Sequence, residues 1–145
     1  HHDQLLYLAI RARKVRGGDY NASTGPRPRD GDLRAHDRVE LLLDLDRDFT
    51  TYYRLAVDHR GWTNDDCWDD ATWDPTWFVA ADSTGESWIA EAAIPIVQLS
   101  GSVPAKEAAW AIGVQRVVPG TGFQSWNTPA AVRVIPEGFG YLIFD

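Results

Sequence analysis

A period-two alternation of apolar and polar side chains, broken repeatedly by turn-forming residues, runs through this chain and limits its fold more than any other feature. Such alternation belongs to half-buried strands, because successive side chains of an extended backbone point to opposite faces. Leu6, Leu8 and Ile10 alternate with Leu5, Tyr7 and Ala9 in a first strand that runs into the charged stretch 11–16 and stops at Gly17 and Gly18. Residues 19–37 hold Gly, Pro, Arg and Asp without periodicity and read as a long surface loop. Val39, Leu41 and Leu43 then face one side of a second strand, with Glu40, Leu42 and Asp44 on the other, and residues 52–58 return as its hairpin partner. Residues 60–74, dense in Trp and Asp, read as a loop. Further strands are expected at 77–81, 87–94 (stopped by Pro95), 110–118, 131–135 and 140–144, with no convincing helix. Eight or nine short strands at this spacing predict an all-β fold, an antiparallel β-sandwich of jelly-roll type, formed by residues 1–145 as a single domain.

Charge and motifs narrow the function. A net charge of -7 disfavours nucleic acid and anionic membrane surfaces as partners. No apolar run reaches the ~20 residues of a membrane span. The single cysteine, Cys67, sits in acidic surroundings that raise rather than lower a thiol pKa, so it reads as structural or incidental. No nucleophile elbow, Walker loop, zinc-binding helix or dinucleotide fingerprint occurs. Paired carboxylates of a glycoside hydrolase stay open as an alternative, because they are defined across a cleft rather than along a chain. His36 and His59 read as solvated loop residues.

Asp44, Asp46 and Asp48 have the alternate spacing that lets a turn converge oxygens on calcium, although they lack the glycine and distal glutamate of an EF-hand loop; a solvated acidic turn is the other reading. No cofactor is otherwise required. The chain has 7 tryptophans. Trp88 and Trp110 lie in strand patterns and read as core, whereas Trp62, Trp68, Trp73, Trp77 and Trp126 fall in polar stretches. An indole face stacks on the C–H patch of a pyranose while neighbouring planar polar groups take its hydroxyls, which makes carbohydrate the partner these residues suit; plugging of the sandwich ends is the competing role.

Several stretches, in order, carry a resemblance: Leu5-Leu-Tyr-Leu-Ala9, Arg29-Asp30, Asp37-Arg-Val-Glu-Leu-Leu-Leu-Asp44, Val57-Asp58 with Gly61, Glu91-Ala-Ala-Ile-Pro95, Trp110-Ala-Ile-Gly-Val-Gln-Arg116, Ser125-Trp126 and Phe139-Gly140. Over nearly its whole length the chain resembles the family 9 carbohydrate-binding modules and their DOMON-like relatives, without the segment that precedes the first strand in that family. The resemblance implies a sugar held between two tryptophans, with calcium as a structural ion in some members. It carries the strand glutamate onto Glu40, the strand glutamine onto Gln115 and one tryptophan onto Trp126. The second tryptophan falls near Arg34, the strand arginine on Ala56 and a strand asparagine on Asp58, so that Arg34 and Asp58 enter the expected ligand set as replacements. Glu91 and Arg116 also match family positions and are expected to pair. Haem, bound through methionine in some relatives, is excluded by the absence of methionine.

The expectation is therefore a non-catalytic sugar-binding module, monomeric, accessory to neighbouring domains of a secreted, periplasmic or cell-surface protein. The alternative is a structural or interaction sandwich that has lost its sugar site.

Overall fold

The computed structural model describes residues 4–131 and 133–145. Among them nine strands form, with β4 and β8 arising outside the alternating runs: β1 Leu5–Arg13, β2 Arg38–Asp44, β3 Tyr53–Asp58, β4 Thr63–Cys67, β5 Phe78–Thr84, β6 Ser87–Pro95, β7 Ala109–Val118, β8 Gly122–Ser125 and β9 Gly140–Ile143. One sheet has the order β1-β6-β5; the other runs β4-β3-β2-β7-β8, and β9 also pairs with β7. Every pairing is antiparallel. The result is the β-sandwich that the alternation predicts.

The core lies between the sheets. Leu6, Trp88, Ala90, Ala92 and Ile94 of the smaller sheet meet Val39, Leu41, Leu43, Leu55, Val57 and Trp110 of the larger one. In β6 the partition is clean: Trp88, Ala90, Ala92 and Ile94 are buried, while Ile89 and Glu91 are exposed. Trp88 and Trp110 are core as their strand positions require, and Trp77 joins them from the polar stretch. β2 is buried on both faces, because its second face is partly covered in turn. Leu42 and Ala111 pack there under Phe139, with Tyr52 and Val134 beside them.

Three local departures have physical reasons. Residues 63–67 form β4 although Thr, Asn, Asp and Cys are weak strand formers; the strand is held by its ladder with β3 and by cations on both faces. Residues 131 and 133–135 form no strand, and the expected strand there gives way to a 3₁₀ turn at Pro136–Gly138, whose proline has no N–H for a ladder; Val132 lies outside the described residues. After Pro95 a single helical turn, α1 Ile96–Ser100, buries Ile96 and Leu99 and ends at Gly101 with φ 72°.

The sheets are joined through one buried carboxylate. Asp37, at the mouth of β2, accepts from Trp88 Nε1 at 2.9 Å across the sandwich, from Tyr20 Oη at 2.7 Å, and from Arg116 Nε and Nη2 at 2.8 and 2.6 Å. A buried indole N–H needs an acceptor and a buried guanidinium needs a counter-ion, so the group satisfies both demands. Arg116 thus pairs with Asp37 and not with Glu91, which stands on the exposed face of the smaller sheet.

Burial works against the Asp37 charge, but the bonds from Arg116, Tyr20 and Trp88 outweigh it and hold the carboxyl below its ordinary value. A depressed carboxyl stabilises the fold above the unfolded value of ~3.9, and that contribution disappears as pH falls through the folded value. Asp37→Asn is expected to cost about 3 kcal/mol in urea unfolding at pH 7, because it leaves Arg116 unpaired in a half-buried setting. The wild-type advantage should shrink as the pH is taken below ~4.

Candidate functional site

The outward face of the larger sheet carries a row of side chains in register: Asn64 of β4, Ala56 of β3, Glu40 of β2, Gln115 of β7 and Ser125 of β8. Alternation puts Arg38 one step to one side of Glu40 and Arg54, opposite Leu42, one step to the other. The segments on either side of this row do not meet, and an open cavity of about 710 Å³ lies between them, floored by Arg38, Glu40, Arg54 and Gln115 and walled by Tyr52 and Phe123. A second hollow of about 350 Å³, on the side of Asp30 to Arg34, shares Arg38 and Arg54 with it.

The floor is a closed network of charge-assisted bonds. Glu40 is buried and accepts from Gln115 Nε2 at 2.5 Å and from Arg38 Nε at 2.7 Å, while Arg54 Nη1 stands 3.9 Å away. Arg54 Nε donates to Asp66 Oδ2 at 2.6 Å, and Arg54 Nη2 also pairs with that carboxylate. Burial opposes the Arg54 charge, but Asp66, Glu40 and Asp69 more than offset it. The arrangement offers fixed donors and acceptors to a ligand with hydroxyls. Both Glu40 oxygens are engaged, which ill suits a general acid that must release a proton.

Of the residues singled out in the sequence, Glu40 and Gln115 meet in this groove. Arg34 lies at the rim of the second hollow, its guanidinium bonded to Asp32 at 3.0 and 2.8 Å. Asp58 is elsewhere. It organises the β3–β4 turn, accepting from the Arg60 and Trp62 amides at 2.8 and 3.1 Å and from the Arg60 guanidinium at 2.9 and 2.6 Å. Trp126 follows Ser125 by one residue and so has the opposite parity to Gln115. Its ring lies against Gly140, where a β-carbon would fall 2.6 Å from it, and 60% of the residue is exposed. Gly140 pairs with Ile112, a core-facing position, so the indole stands at the β8–β9 junction rather than over the groove.

Arg38 and Arg54 escaped the sequence reading although their parity with Glu40 and Ala56 was a usable signal. The resemblance carries the family's strand arginine onto Ala56, and Arg54 stands two residues earlier on the same face. Asp66 belongs to an acidic cluster with Asp65, Asp69 and Asp70 that the sequence leaves open between a metal site and a solvated stretch; its bond to Arg54 was hidden because its strand reads as a loop.

At the acidic turn, oxygens of Asp44, Asp46 and Asp48 lie within 4.8 Å of one another. Asp44 already caps the turn, accepting from the Arg47 and Phe49 amides at 2.7 and 3.0 Å, and Asp48 accepts from Thr50 and Thr51. Burial, with Asp46 close by, raises the Asp44 carboxyl above its ordinary value despite those two amides. The donor set is three carboxylates against the six to eight oxygens calcium takes, and two of the three serve the backbone as well.

No family model matches the chain, and no curated protein matches it. Solved structures do. A family 9 carbohydrate-binding module from Caldicellulosiruptor kristjanssonii in complex with glucose aligns with 99% of this chain and 72% of its own length, at a TM-score of 0.67 and 15% identity. A candidate carbohydrate-binding protein from Bacteroides uniformis aligns with 97% of this chain and 72% of its own length, at 0.65 and 16%. A family 9 carbohydrate-binding module from Caldicellulosiruptor kristjanssonii in complex with cellotriose aligns with 82% of this chain and 63% of its own length, at 0.58 and 13%. The chain has the fold of family 9 carbohydrate-binding modules.

Because Asp58 serves the turn, Asp58→Ala is expected to lower folding stability by about 1–3 kcal/mol, the cost of leaving the half-buried Arg60 and Trp62 amides and the Arg60 guanidinium without their acceptor. Thermal unfolding read by circular dichroism checks this.

Proposed function

We propose that this chain is a non-catalytic carbohydrate-binding module whose sugar lies in the groove on the outer face of the larger sheet. The observation that carries the reading is the Glu40 cluster: a buried carboxylate held by Gln115 and Arg38 beside Arg54, at the floor of an open cavity in a sandwich of this fold. Neutral polyols suit such a site, since each hydroxyl both donates and accepts while every charge in the floor keeps its partner. The likeness to sugar-binding modules supports the same reading. Trp126, whose exposed indole stands at the β8–β9 junction, enters the proposal as a stacking surface beyond the end of the groove row and not over Glu40. The module acts beside other domains of a secreted, periplasmic or cell-surface protein, raising the local concentration of their substrate. Among the described residues no helix is long and apolar enough to cross a membrane.

One observation favours a second reading, a structural sandwich without a ligand: Arg34 and Asp58 are bonded within their own turns, and Trp126 stands away from Glu40. The test is a tryptophan-fluorescence titration with mono- and disaccharides and soluble plant and microbial glycans, with Glu40→Ala and Trp126→Ala beside the wild type. Saturable quenching is expected, with Glu40→Ala weakened about tenfold or more, as loss of a bond to a charged group implies. Trp126→Ala should also weaken binding, by the scale of one aromatic contact, and unchanged affinity would remove it from the site. Silence toward every glycan would move the assignment to the structural sandwich.

The acidic turn belongs to the proposal as a weak calcium site with Asp44, Asp46 and Asp48 as its protein ligands. At ~10 mM calcium and a dissociation constant near ~1 mM the gain is about 1.4 kcal/mol, or a few degrees in Tm. Differential scanning calorimetry with calcium, magnesium and chelator should show that rise for calcium, and Asp46→Asn should abolish it.

A further inference from the structure

Three residues with left-handed backbone, Phe49 (φ 59°), Trp68 (φ 48°) and Asp69 (φ 68°), line one cavity. For a bulky aromatic residue that conformation is an outlier, because the β-carbon crowds the backbone, and it persists only where the surroundings enforce it. Here each is pinned. The Phe49 amide donates to the buried Asp44 carboxylate at 3.0 Å, the Trp68 amide to the Tyr52 carbonyl at 3.0 Å and the Asp69 amide to the Asp66 carboxylate at 3.1 Å. A bridge between Cys67 and Asp70 closes the bend that contains Trp68 and Asp69.

The consequence is an indole that is 60% exposed yet mounted on a fixed backbone. Elsewhere the tryptophans of the polar stretch are occupied: Trp62 lies under the Arg60 guanidinium at 3.8 Å, Trp73 packs on Tyr53 at 4.6 Å and Trp77 is core. The cavity that Trp68 lines, about 700 Å³, shares Tyr52, Asp69, Arg133 and Val134 with the groove over Glu40, so the two are continuous. Each alone falls within the ~300–1,000 Å³ that accommodates a drug-sized ligand, more than a single hexose fills.

We infer that Trp68 is a stacking platform for a further sugar unit, so that the groove receives a run of linked pyranoses extending from Glu40 past Tyr52 and Asp69 to the Trp68 indole. This rests on the sugar-binding reading of the groove. The pinned backbone lowers the ordering cost that a tryptophan on a mobile loop would bring, and Asp69 and Arg133 line the same cavity as polar partners for the hydroxyls of the added unit.

The test is isothermal titration calorimetry with three matched pairs of probes, glucose and cellotriose, xylose and xylotriose, mannose and mannotriose, on wild type, Trp68→Ala and Trp68→Phe. For at least one pair the wild type is expected to bind the trisaccharide about tenfold more tightly than the monosaccharide, the scale of one aromatic stack. Trp68→Ala should remove that advantage and leave the monosaccharide affinity unchanged, while Trp68→Phe, which keeps a flat ring, should retain most of it. Equal affinity for both members of every bound pair overturns the subsite and leaves the sugar module standing, as does a trisaccharide advantage that survives Trp68→Ala. Binding of none of the six sugars by the wild type overturns both.

Discussion

The Asp37 carboxylate is the point on which the sandwich turns. Three kinds of donor from three parts of the chain converge on it: the Trp88 indole from the smaller sheet, the Arg116 guanidinium from the larger one and the Tyr20 hydroxyl from the long loop. A core built around large indoles must supply an acceptor for each buried N–H, and a carboxylate supplies several at once, provided that a cation balances its charge. The same solution recurs at Asp65, which accepts from Trp77 Nε1 at 3.0 Å and from Arg29 Nη2 at 2.9 Å. There burial dominates and the carboxyl is raised above its ordinary value despite both partners. The two clamps tie the irregular segments to the sheets and keep them off the middle of the larger sheet's outer face, where the groove lies.

The groove follows from which face of β2 is left over. With Val39, Leu41 and Leu43 committed to the core, Arg38, Glu40, Leu42 and Asp44 face outward, and the two ends of this second row differ in fate. Leu42 disappears under Phe139, and Asp44 is consumed by the turn that follows it. Only Arg38 and Glu40 remain at an open surface, and the neighbouring strands complete them with Gln115 and Arg54.

The sandwich, the assignment of Trp88 and Trp110 to the core and the outward direction of Glu40 and Gln115 were legible because each depends on alternation alone. The Glu40 partners were legible in principle by the same rule. β4 was not, since a Thr-Asn-Asp-Asp-Cys run carries no apolar signal and becomes a strand through Arg29 and Arg54 contributed from elsewhere. The turn role of Asp58 was hidden for a local reason: aspartate at the end of a strand competes for the amides that follow it, and which amides it caps depends on backbone geometry that a sequence does not display. The position of Trp126 depends on where β8 stops and β9 begins along β7, a tertiary matter.

That division of β7 between two partners bears on solubility. β8 covers Gln115 to Val118 and β9 covers Ala109 to Ile112, each with four residues, and between them the Val114 amide and carbonyl are bonded to the Asn127 side chain and the Trp126 amide. The border of the larger sheet is thus made of two short pieces with a sealed seam, not one long ribbon. A foreign strand needs an uninterrupted row of free amides and carbonyls to dock, and no row longer than four residues is offered on this side. On the opposite border β4 is five residues long, and its ends are already engaged, the Thr63 carbonyl by the Gly31 amide and the Cys67 amide by the Asp70 carbonyl, so little free backbone is offered there either.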